Sequence, residues 1–152
     1  MKKILLGAAA LSVMFATSCK KDDNSGPSNS FTVAGATFNP TYIARADASS
    51  RTSITGTDQT NSIVVQFNTV PMIGGDFKIV ESVSADDEIQ ITAVTQVSGA
   101  KTAYQSIDDA GTAKVTINNG KIAVTVPGAS VKRTNLNTAK SDTVTIAATL
   151  AE

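Results

Sequence analysis

Four stretches of the chain alternate apolar and polar residues with a period of two. Ile89, Ile91, Ala93, Thr95 and Val97 form the first, and Ala113, Val115 and Ile117 the second. Ile122, Val124 and Val126 form the third, and Val144, Ile146, Ala148 and Leu150 the fourth. Successive side chains of an extended strand point to opposite faces, so each set lines one face of a sheet. Asn118-Asn119-Gly120 separates the second set from the third and predicts a tight hairpin, because Asn and Gly accept the positive φ of a primed turn. Residues 73–76, 98–101 and 108–111 predict further turns. Weaker patterns predict strands over 31–33, 37–38, 41–46, 53–57, 62–68 and 77–83. Pro40, Pro71 and Pro127 are expected at strand ends or exposed edges, since proline cannot donate to a ladder. Residues 134–141 read as a polar loop before the last strand.

Composition strengthens the strand reading. Residues 31–152 hold thirteen Val, eleven Ile and nineteen Thr but only two Leu, Leu136 and Leu150. Branching at Cβ restricts χ1 and suits a pleated surface better than a helix. The expected fold is all-β. Short strands at intervals of about 8–12 residues suggest an antiparallel β-sandwich, with a small β-barrel as the alternative. No fixed-period repeat is evident. Residues 31–152 are sufficient for one domain with one core, burying roughly two-thirds of the unfolded surface without disulfides.

The first residues follow a different logic. Lys2 and Lys3 precede an uncharged, mostly apolar run over residues 4–16. Crossing a ~30 Å hydrocarbon core takes about 20 apolar residues, so this run is too short. A charged start, an apolar middle and small residues at the end predict a secretory signal over residues 1–18. Residues 19–30 then contain no large apolar side chain and carry Gly26, Pro27 and three serines, which predicts a flexible tether.

Ala16-Thr17-Ser18-Cys19 resembles the lipobox of bacterial lipoproteins, with Ala16 where Leu is usual. The resemblance implies cleavage between Ser18 and Cys19, and a diacylglyceryl group on the Cys19 thiol. Membrane lipid and the lipoprotein export machinery are the partners it implies. One myristoyl chain holds a membrane only marginally, whereas two or three on one residue make a stable anchor. The competing reading is an ordinary signal peptide beside a stray cysteine. Lys20, Lys21, Asp22 and Asp23 resemble the export signal that follows the lipidated Cys in Bacteroidota surface lipoproteins. This implies an outer-membrane location facing the exterior, with the periplasmic face as the alternative. Phe31-Thr32-Val33-Ala34-Gly35, Gly120 to Val126 and Asp142 to Ile146 are loosely similar to strand patterns of small lipoproteins in that group, which brings no chemistry with it.

Composition then removes several chemistries. The chain has no His, so it has neither a Ser-His-Asp triad nor an imidazole metal site. Its one Cys cannot form an internal disulfide or a cysteine cluster. Thirteen basic and thirteen acidic residues give zero formal charge, without the electrostatic footprint of a nucleic-acid binder. Gly74-Gly75 lacks the remainder of a phosphate-binding loop. No D-x-[DN]-x-[DN]-G series marks a calcium loop. Neither a metal nor a cofactor is implied.

Asp86-Asp87-Glu88 and Asp108-Asp109 are the acid/base candidates, although adjacent carboxylates on one loop also serve turn formation and solubility. The phenylalanines are expected in the core. Tyr42 and Tyr104 are expected at its boundary rather than as sugar-stacking platforms. Lys132-Arg133 reads as a solvated strand edge that discourages edge pairing. Asp142-Thr143-Val144 is similar to the Bacteroidota O-glycosylation sequon, with Thr143 as acceptor. The reading that results is a lipid-anchored, non-catalytic surface protein with a structural, adhesive or ligand-binding role. A small surface hydrolase or polysaccharide-processing accessory using Asp/Glu is one alternative. A barrel carrying a small apolar ligand is another.

Overall fold

The computed structural model describes residues 28–48, 50–134 and 142–152. Ser18, Cys19, Lys20, Lys21, Asp22 and Asp23, together with most of the polar loop expected over 134–141, lie outside the described residues. Eleven strands follow in order: β1 (Ser30–Val33), β2 (Ala36–Phe38), β3 (Tyr42–Ala48), β4 (Arg51–Thr57), β5 (Ser62–Phe67), β6 (Gly75–Ile79), β7 (Glu88–Val97), β8 (Ala100–Ser106), β9 (Gly111–Asn118), β10 (Lys121–Arg133) and β11 (Thr143–Ala151). The described chain is all-β.

The expected sandwich is corrected to a barrel. β6, β9, β10, β8 and β7 pair in a ring that returns to β6. β8 is the strand that closes it. One of its edges joins β7 over Ala100 to Gln105, and the other joins the end of β10 through Tyr104, Gln105 and Ser106. Two three-stranded wings extend from this ring. β11, β1 and β2 continue from β10, and β5, β4 and β3 continue from β7. The pair β6–β7 is parallel, and the other pairs are antiparallel.

The geometry follows from how the long strands share their edges. The first half of β10 pairs β9 and its last three residues pair β8. A bulge divides the halves, where Val126 opposes Ala148 and Ala129 opposes Ile146. The bulge contains Pro127 and Gly128. It moves the inward row from the even positions Ile122, Val124 and Val126 to the odd positions Ala129 and Val131, all buried. Pro127 therefore lies inside the longest strand, in the one kind of interior position that tolerates a missing N–H.

Ring and wings share one core. Ile79, Ile89, Ile91, Val115, Val124 and Val131 fill it from the ring, and Phe31, Ile54, Val65, Ile146 and Leu150 from the wings. Phe67 meets Phe77 edge-on at 5.7 Å, and Phe31 stacks on Phe38 at 5.0 Å. Phe31, Phe67 and Phe77 are core residues, as expected, and Phe38 is half-buried against them.

Both ends of the molecule are now defined. The β9–β10 turn (Asn119 φ 52°, Gly120 φ 78°), the loop from Asn68 to Gly74 and both described termini share one end. Asn29 Oδ1 accepts from Ala151 N–H at 2.7 Å, and Glu152 Oε2 accepts from Ile122 N–H at 2.7 Å. Arg45 joins these parts, donating to Gly120 O at 3.1 Å with Glu152 Oε2 4.0 Å away. The β1–β2, β4–β5 and β7–β8 turns lie at the opposite end, with the end of β10.

Candidate functional site

Of the carboxylates expected as acid/base candidates, Asp86, Glu88 and Asp108 are engaged in loop hydrogen bonds. Asp86 Oδ1 accepts from Asn68 Nδ2 at 3.0 Å and Thr69 Oγ1 at 3.2 Å. Glu88 Oε2 accepts from Ser84 N–H, Ala85 N–H and Ser84 Oγ–H at 2.8–2.9 Å. These bonds, the Ser84 backbone N–H first, hold the Glu88 carboxyl below its ordinary range. Asp87 lies 3.7 Å from Lys78, and Asp108 accepts from Glu81 N–H at 2.9 Å. Among the described residues no three His, Cys, Asp or Glu side chains gather in a metal-holding group.

Lys132 and Arg133 do not form a solvated edge, because Lys132 is paired with both β11 and β8, and Arg133 with β8. Lys132 makes an ion pair with Glu81. Arg133 ends β10 opposite Tyr104 of β8 and is partly buried. Its inward placement continues the odd-numbered row set by the bulge. The change of parity at Pro127-Gly128 is the sequence signal that puts Arg133 in phase with Ala129 and Val131.

Arg133 forms one wall of a cleft of about 250 Å³ at the end remote from the termini. The β1–β2 turn supplies Val33, Ala34 and Ala36, and the β7–β8 hairpin supplies Thr95, Val97, Ala100 and Thr102. Tyr104 completes the lining. The walls are thus small and apolar, interrupted by hydroxyls. The Arg133 Nε is buried with no hydrogen-bond partner among the described residues. The nearest carboxylate, Asp142, stands 3.8 Å from Nη1, too far for a hydrogen bond. A partly exposed guanidinium beside an apolar wall suits the carboxylate of a small ligand.

The two tyrosines part company. Tyr104 is buried against the core, whereas Tyr42, at the start of β3, is 63% exposed rather than at the core boundary. Thr143 opens β11 in an exposed position, opposite Lys132. A scan against protein-family models, a search of curated proteins and a search of solved structures each found no match.

Proposed function

We propose that the chain is a lipid-anchored, non-catalytic protein of the outer-membrane surface that binds a small carboxylate ligand in the Arg133 cleft. The carrying observation is the partly exposed Arg133 guanidinium in the wall of a small apolar cleft, with Asp142 beyond hydrogen-bond distance. The guanidinium is about a third exposed, and a carboxylate held in the cleft would give it a closer anion than Asp142 does. The anchored part of the reading is supported by the Ala16-Thr17-Ser18-Cys19 resemblance, and its outward display by Lys20-Lys21-Asp22-Asp23. Against hydrolysis stands the use of Asp86, Glu88 and Asp108 in loop bonds. Against an apolar-ligand carrier stands a ring interior occupied by isoleucine and valine side chains. Glycosylation of Thr143 fits its exposed position at the start of β11.

Thermal unfolding with galacturonate and with succinate tests the ligand. Either acid raises the melting temperature of the native protein, and Arg133→Gln removes the rise. No rise with either acid at tens of millimolar, or an equal rise in the variant, overturns the cleft. Protease treatment of intact cells tests display, since cutting only after permeabilisation overturns the outward orientation.

A further inference from the structure

At the end opposite the cleft, Met72 and Ile73 are 83% and 81% exposed. They do not belong to a slack loop. Pro71 beside them is buried, and two residues beyond Ile73 the chain is already paired, Gly75 opposite Val115. The loop is therefore held at both ends while its two largest apolar side chains point outward. A groove of about 240 Å³ on one side is lined by Val70, Pro71, Met72, Ile73 and Phe77, with Thr69 and Asp86. On the other side Met72 and Pro71 share a groove of about 390 Å³ with Arg45, Ile117 and Gly120.

The position of this apolar pair relative to the N-terminal segment identifies its occupant. Gly120 and Arg45 connect the Met72 groove to Glu152, and Ala151 is bonded to Asn29. The chain that carries Cys19 thus enters the barrel at the same end. Residues 19–27 number nine, so the segment reaches at most about 30–33 Å at full extension. We propose that Met72 and Ile73 seat on the lipid surface in which Cys19 is anchored, fixing the barrel upright with the Arg133 cleft outermost. This rests on the anchored reading above. The mechanism is that of an interfacial contact, in which a second, weak apolar attachment restricts a domain already held by acyl chains.

The test uses the full lipidated chain in phosphatidylethanolamine–phosphatidylglycerol vesicles. Cys19 is the only cysteine and its sulfur is occupied by lipid, so an introduced cysteine can be labelled alone. Ile73→Cys and, at the other end, Thr60→Cys each receive an environment-sensitive dye. The dye at 73 is blue-shifted and quenched at least twofold by doxyl groups on the lipid, and the dye at 60 is not. Equal, weak quenching at both sites, in protein that floats with the vesicles, overturns docking and leaves the anchor intact. Protein that fails to float overturns the anchor, and docking with it. A blue shift at 73 without quenching by the lipid label means a second copy covers the pair, which also overturns the lipid contact. A dye at Lys121→Cys that loses its quenching in Met72→Ser/Ile73→Ser supports the pair as the contact, whereas unchanged quenching overturns that role.

Discussion

Gly56 of β4 lies directly beneath Leu150 of β11. A Cβ built at Gly56 would stand 2.9 Å from Leu150 Cδ2, and 3.1 Å from both Ile43 Cδ1 and Pro40 Cγ. The two wings of the barrel therefore meet through a missing side chain. Gly56→Ala is expected to destabilise the fold by about 1–3 kcal/mol through overpacking. Leu150→Val shortens the opposing side chain, so the double variant should lose less than the sum of the singles, by about 0.5 kcal/mol or more. Urea unfolding of the four proteins measures the coupling.

Gly120 provides the complementary case. Nothing lies within 4 Å of a Cβ added there, yet its φ is +78°. Gly120→Ala is expected to cost about 1–2 kcal/mol from backbone conformation alone. No shortening of a neighbour should relieve it. The same unfolding measurement separates the two glycines by their response to Leu150→Val.

Ser106 is fully buried at the end of β8. Its Oγ–H donates to Val80 O at 2.5 Å and its oxygen accepts from Ile91 N–H at 3.0 Å. Ser106→Ala strands both backbone groups, with an expected loss of about 1–3 kcal/mol. Faster amide exchange at Ile91 is the local readout. Unchanged exchange would show that the hydroxyl bridge is not what holds β7 to the chain after β6.

Acid should weaken the fold through two loop carboxylates. At Asp58, desolvation raises the pKa, but hydrogen bonds from Asn61 and Thr60 outweigh it and bring the group below its ordinary 3.8. Glu88 lies below its ordinary 4.5, chiefly through the Ser84 and Ala85 amides. A carboxyl whose pKa is lower in the folded chain leaves the unfolded chain with more bound protons. Its contribution is present above the ordinary values and lost as pH falls through the folded ones. Urea midpoints should hold steady above about pH 5 and decline below about pH 4. Asp58→Asn and Glu88→Gln should each make that decline shallower.

Most strands were legible in the sequence because their inward rows are strong. Ile89 to Val97 and Val144 to Leu150 alternate cleanly, and both stretches are strands. β8 leaves little trace in the sequence because its buried row ends in Tyr104 and Ser106, with partly buried Thr102 and Ala103 blurring the period. That faint trace hides the barrel, since β8 pairs on both edges. The apolar row of β10 breaks at Val126 because its parity changes there, and only a bulge lets one strand continue to Arg133. The parity change puts Arg133 in the inward row, but the cleft itself takes shape only with β8 and the β1–β2 turn in place. The strand expected over 77–83 stops at Ile79, and Val83 is buried from a loop.

The entry of the chain at one end and the Arg133 cleft at the other have a mechanical consequence. β1 begins at Ser30 beside the final residues of β11 and runs toward the cleft, with its ladder along Thr149 to Ile146. A pull on residue 28 against a hold at the cleft is directed along the strands. The β1–β11 bonds are then loaded together in shear instead of being opened one after another like a zipper.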